Sequence, residues 1–248
     1  MPPTTRQKLA INYELRNATQ LIRAGLGQLQ EIDNASDFLH LPLLTLATGF
    51  ERLLKVTLCF HHLQSNGVFP TKGELFPLGK GHNLLDFLGA VRERCFVAPY
   101  VSSIAVATTD LDFLSSEELI RFMTVLSDFG QGARYYFLDV IVDPKQKKTS
   151  DPEQAWKAIE SQIVGNDIVL ATAMQRFDRI EDIRRKVTAH VVTSLEKLAR
   201  AIARLFTIGS ISSVAKPYSV SLYDFVMLRD EQLGVTRYSP LGRASERA

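Results

Sequence analysis

The sequence predicts an all-α protein: an up-and-down helical bundle with a helical C-terminal extension. Three observations carry this expectation. Apolar residues recur at steps of three and four over long stretches, as in Ile11, Leu15, Ala18, Ile22, Leu26 and Leu29, and again in Val187, Val191, Leu195, Leu198, Ile202 and Leu205. Helix-start signatures of the Ser-x-x-Glu form occur at Ser115-Ser116-Glu117-Glu118 and Ser150-Asp151-Pro152-Glu153. Neither a βαβ alternation nor a repeat of fixed period is visible.

The first periodic stretch predicts a helix over residues 6–32, broken by Asp33-Asn34-Ala35-Ser36. A second helix is expected over 37–64. Its first half is apolar on every side, which suits a central helix, and Pro42 falls early enough for its missing N–H to be tolerated. Residues 65–81 hold Gly67, Gly73, Gly79 and Gly81 with Pro70 and Pro77, a loop composition. A third helix, from His82 or Asn83 to about Cys95, presents Leu84, Phe87, Leu88 and Val91 on one side. Residues 96–113 lack a clear period and read as irregular. The first Ser-x-x-Glu box then starts a fourth helix expected to run to about Val142.

Residues 143–149, with Pro144, Lys145, Lys147 and Lys148, form the clearest break in the chain. The second box starts a helix to about Val164 with proline at its first position. After Gly165 and Asn166 a long helix is expected to continue to about Ile208. Residues 221–232 fit a short helix closed by Gly234, with a strand as the alternative. Residues 239–248 lack core material and read as a flexible tail.

Composition limits the function classes. Of 248 residues, 29 are Lys or Arg and 27 Asp or Glu, a formal charge of +2, while 46% are hydrophobic. That excludes wholesale disorder and a nucleic-acid binder working through overall charge. Cys59 and Cys95 cannot make a disulfide framework. No signal-peptide core follows Arg6 and Lys8. The longest apolar stretch, residues 39–50, ends at Glu51 and Arg52, short of the ~18 residues a membrane helix needs. A cytoplasmic protein without membrane spans is expected, and neither a metal nor another cofactor. His61 and His62 are adjacent and so point about 100° apart on a helix, His40 is isolated, and no Cys-x-x-Cys occurs.

One ordered set stands out in the first 142 residues. The second helix carries Gly49-Phe50-Glu51-Arg52-Leu53-Leu54-Lys55. The loop delivers Gly81-His82-Asn83-Leu84-Leu85-Asp86-Phe87-Leu88, and the fourth helix carries Ala133-Arg134-Tyr135. This set resembles the HEPN superfamily of small helical bundles, in its Glu-x-x-Leu-Lys turn, Gly-His-x-Leu-x-x-Leu element and later Ala-Arg-Tyr. The resemblance covers residues 39–142. It divides the chain into a HEPN-like bundle (1–142), a helical extension packed on it (143–238) and the tail (239–248).

The resemblance implies a homodimer associated with RNA or a nucleotide in a defence or toxin-type system. Catalytic members are metal-independent endoribonucleases that use an Arg-x4-6-His motif. Arg134 stands at the family's arginine position, but no histidine follows it within reach. An Arg-x4-His does occur as Arg185 to His190, where a spacing of five puts the two about 140° apart on an ideal helix. Arg134 is therefore the first catalytic candidate, with Arg185 and His190 second. Glu51, Lys55, His82 and Tyr135 are candidates for ligand binding or for a buried polar network. The missing histidine favours the alternative, a non-catalytic interaction or scaffolding module. The basic run Arg176, Arg179, Arg184, Arg185 and Lys186, interleaved with Asp178, Glu181 and Asp182, favours the RNA reading if its acids turn elsewhere, and is otherwise a solvated helix face.

Overall fold

The structure, a computed structural model, describes residues 2–32, 38–75, 81–143, 151–176 and 180–239. These are α-helical with short 3-10 turns, and no strand occurs among them. The strand alternative for the C-terminal region is thereby replaced by short helices.

Helix α1 (Thr5–Glu31) starts at Thr4, whose hydroxyl accepts from Gln7 N at 3.2 Å while Gln7 Oε1 accepts from Thr4 N at 2.9 Å. This capping box satisfies two backbone donors that would otherwise be orphaned. Helix α2 (His40–Asn66) carries Pro42 in its first turn and closes at Gly67, which adopts a left-handed φ of 71°. The two helices run antiparallel and very close. A Cβ on Gly25 would meet Leu46 Cγ at 2.5 Å, and one on Gly49 would meet Ile22 Cγ1 at 2.8 Å. Residue numbers thus rise along α1 as they fall along α2. Leu15, Ile22 and Leu26 face Leu46, Phe50 and Leu53 in the core, all fully buried.

After α3 (Lys72–Leu75), α4 (Leu84–Cys95) packs its buried Leu84, Leu88 and Val91 on α2. The stretch expected to be irregular is helical, as α5 (Ala98–Ser103) and α6 (Ala105–Leu114). The period was hidden because one inward position of α6 is polar: Asp110 stands between Ala107 and Leu114 and receives Arg204 Nη1 at 2.7 Å. Helix α7 (Glu117–Gln131) ends well before Val142. The chain breaks at Gly132, makes a 3-10 turn over Ala133–Tyr135, and resumes as α8 (Tyr136–Val142). The cap of α7 is Ser116, which accepts from Leu119 N at 3.3 Å.

Asp151 caps α9 (Pro152–Asn166), and Asp167 caps α10 (Ile168–Gln175), so the long helix expected from residue 167 begins only with α11 (Ile180–Thr207). Trp156 of α9 packs against Phe122 of α7, ring centroids 5.9 Å apart. Helix α11 touches α1, α2, α6, α9 and α10, and Phe206 meets Phe60 of α2 at 5.3 Å.

The remaining chain, with α12 (Ser212–Ala215), a 3-10 turn over Lys216–Leu222 and α13 (Tyr223–Val226), returns across α1 and α11. Ser221 O accepts from Thr19 Oγ1 at 2.8 Å. Gln30 grips the backbone twice, donating to Thr236 O at 2.8 Å and accepting from Tyr238 N at 3.0 Å. Glu196, fully buried on α11, accepts from Gly234 N and from Tyr238 Oη, both at 2.6 Å. Gly234 has φ 75°, and a Cβ there would fall 2.4 Å from Thr193 Oγ1. The expected tail, residues 239–248, lies outside the described residues except for Ser239.

Candidate functional site

Four of the residues singled out in the sequence come together. Glu51 and Lys55, one turn apart on α2, form an ion pair. His82 Nδ1 lies 3.1 and 3.2 Å from the two Glu51 oxygens. With Arg134 these side chains line an open groove of about 530 Å³ between α2, the start of α4 and the end of α7. The expected buried network is corrected in one respect: Glu51 and Lys55 are sheltered, at 18% and 17% side-chain exposure, but His82 is 67% exposed. The cluster is a groove wall, accessible to a ligand.

Local structure explains the convergence. Asn83 caps α4, its Oδ1 accepting from Leu85 N at 3.0 Å and Asp86 N at 3.4 Å. Buried Ser127 of α7 accepts from Leu84 N at 3.0 Å and donates to Asn83 Oδ1 at 3.2 Å, and Gln131 Nε2 donates to it at 2.9 Å. The turn that carries His82 is thus pinned to α7, beside the 3-10 turn that carries Arg134. Asn83 and Ser127 are positioning residues that sequence reasoning missed. Asn83 carried a legible signal as a helix cap; Ser127 sits within an apolar helix face and carried none.

The groove is locally cationic. Arg52 is held by Glu14 at 2.5 Å, and Lys55 stacks over the Phe87 ring at 5.2 Å while pairing with Glu51. Arg134 pairs with no carboxylate among the described residues. Its guanidinium lies 5.0 Å over the half-exposed Tyr135 ring, and its Nε is shielded from solvent without a hydrogen-bond partner among the described residues. With its hydrogen on Nδ1, His82 donates to Glu51 and keeps Nε2 as a proton acceptor. A phosphate at Arg134 and a hydroxyl at His82 Nε2 are the chemistry this arrangement can serve.

Arg185 and His190 do not join this groove, nor each other. Arg185 pairs with Asp182 at 3.5 Å and borders a groove with Arg184, Lys186 and Arg237, facing Glu31 and Glu181. His190 lies in another, with Nε2 3.0 Å from Glu118 Oε1, which also accepts from Ser194 Oγ at 2.7 Å. Glu118, expected to complete the α7 capping box, instead docks the first turn of α7 on α11. Of the other histidines, His62 Nδ1 lies 2.9 Å from Val68 O, and the His40 ring packs edge-on against Phe129 at 4.9 Å. Among the described residues no group of three or more His, Cys, Asp or Glu could hold a metal ion. No single helix there is long and apolar enough to cross a membrane. Gly79, in the loop ahead of His82, lies outside the described residues.

The fold and groove define an all-helical protein with a solvent-open Glu–His–Lys–Arg cluster. Comparison with protein-family models, curated proteins and solved structures gives no match.

Proposed function

We propose that the groove receives a phosphate-bearing ligand, RNA or a nucleotide, as the HEPN resemblance implies for a defence or toxin-type protein, and that RNA is cleaved there. The observation that carries this reading is the Glu51–His82 contact beside an Arg134 that has no carboxylate partner among the described residues. Arg134 and Lys55 attract the phosphate, Glu51 orients the imidazole, and His82 Nε2 takes the proton of the 2′-hydroxyl as its oxygen bonds to phosphorus. The P–O5′ bond breaks, leaving a 2′,3′-cyclic phosphate and a 5′-hydroxyl protonated from water. His82 thereby fills the role of the histidine missing after Arg134, and no step calls for a metal. Incubation of the purified chain with RNA in EDTA is expected to shorten it. Intact RNA with wild-type protein, together with no retention of labelled RNA in a binding assay, would sink the reading.

A second reading, a non-catalytic interaction module, is favoured by α8. This helix buries none of its residues, and Phe137, Leu138, Ile141 and Val142 are 56–83% exposed. A seven-residue helix is marginal in water without packing, so a partner surface, a second copy of the chain in our reading, covers it. Light scattering is expected to give a dimer that Ile141→Asp dissociates; a monomeric wild-type protein overturns this.

A further inference from the structure

A second cavity, of about 530 Å³, lies between the end of α1, α9 and α11. Its size is that of a small-molecule site, and its walls are largely apolar, with Trp156, Val164, Ile183 and Val187 among them. Lys157, Glu160, Ser161, Arg184 and Thr188 are the polar side chains among them, and Glu160 and Arg184 matter most for a ligand's head group. Glu160 accepts a hydrogen bond from Trp156 Nε1 at 2.9 Å, and burial pushes its carboxyl up, against that bond and the charges of Arg184 and Lys157. Arg184 stands at the edge, with Nη1 shielded from solvent and no hydrogen-bond partner among the described residues.

A shielded guanidinium nitrogen without an acceptor costs free energy that a bound anion recovers. The head group that fits is a single negative charge, because a doubly charged one would stand against Glu160 in a sheltered site. We propose that this cavity binds an amphipathic monocarboxylate, its carbon body against Trp156, Val164, Ile183 and Val187 and its carboxylate on Arg184. Glu160, held in place by Trp156 Nε1, sets the other side of the head group. The assignment is independent of the groove at His82.

Trp156 is the one tryptophan of the chain, so its fluorescence reports this cavity alone. Titration with decanoate below its micelle-forming concentration is expected to change Trp156 emission saturably. Decanol, which keeps the body and lacks the charge, and acetate, which keeps the charge and lacks the body, are each expected to bind about tenfold or more weakly. Arg184→Met, checked by circular dichroism for retained helix, is expected to weaken decanoate by about tenfold and leave decanol unchanged. If that variant loses its helix, wild-type protein titrated with decanoate across rising salt substitutes for it, and weakening is expected. No saturable change with decanoate, decanol binding as tightly as decanoate, or undiminished decanoate binding in Arg184→Met would each overturn the proposal.

Discussion

His82 Nδ1 sits 3.1 Å from Glu51 Oε1, joining a turn ahead of α4 to the middle of α2 across 31 residues of sequence. The contact is held from behind by Asn83 and Ser127, so the imidazole is fixed by its surroundings while its ring stays exposed. His82→Ala is therefore expected to change stability by less than about 0.5 kcal/mol. RNA cleavage in EDTA should fall by about 10²–10⁴-fold, the usual contribution of a general base. Arg134→Ala should weaken RNA retention as well. Full cleavage by His82→Ala protein would remove His82 from the chemistry.

Gly234 is constrained twice, by a left-handed φ of 75° and by the lack of space for a Cβ. Gly67, with φ 71°, has nothing within 4 Å of the same position. Gly67→Ala should thus cost only the backbone term, about 1–2 kcal/mol. Gly234→Ala should cost clearly more, because the C-terminal segment must lift from α11 and loosen the Glu196 contact. Urea unfolding of both variants provides the comparison, and equal costs would contradict the close approach.

Alkaline pH should destabilise the protein through two tyrosines. Burial, then the charge of Asp110, pushes Tyr100 up to about 12 from 10. Burial and the adjacent Glu196 carboxylate, to which its hydroxyl donates, push Tyr238 up as well. The folded state keeps protons that the unfolded chain releases, so this stabilisation is complete below about pH 10 and is lost as pH rises through the folded values. Tyr238→Phe should lower stability at neutral pH by about 1–3 kcal/mol, since Glu196 loses a donor. It should also flatten the decline above pH 10. An unchanged slope would mean Tyr238 ionises freely.

Asp110 and Arg204 join α6 to α11 in a sheltered place, the two side chains 9% and 20% exposed. Burial raises the Asp110 carboxyl and the arginine charge opposes that rise. Arg204→Met should destabilise by about 3–5 kcal/mol, because it strands a sheltered carboxylate. The loss should shrink as pH falls and Asp110 takes up a proton. Adding Asp110→Asn should recover part of it at neutral pH; a double variant no better than Arg204→Met would show that the pair is not coupled.

How far the sequence could be read depended on whether inward positions were apolar. Helices α1 and α4 keep an apolar stripe that located them, and α11 keeps one from Val187 to Leu205 beside its buried Glu196 and Arg200, although its start at Ile180 was not legible. Helix α6 carries Asp110 inward, so its period vanished until Arg204 was seen opposite. At the site, Glu51, His82 and Arg134 were visible as short motifs, while their union depends on Ser127, an ordinary small residue whose role exists only in three dimensions. Arg185 and His190 illustrate the converse: a matching motif that helix geometry separates into different grooves.

The segment after α11 has a consequence for how the chain is made. Thr19, Arg23 and Gln30 of α1 take partners at Ser221, Asp224, Thr236 and Tyr238, more than 200 residues later. During synthesis α1 precedes these partners by more than 200 residues, so that flank stays bare until the segment from Ser221 to Tyr238 has emerged. The nascent chain must then keep the α1–α2 hairpin soluble with one side unfilled, and closing so long a loop makes the final docking step slow. Ribosome-bound chains that stop before Ser221 should accordingly be far more sensitive to protease at α1 than released full-length protein.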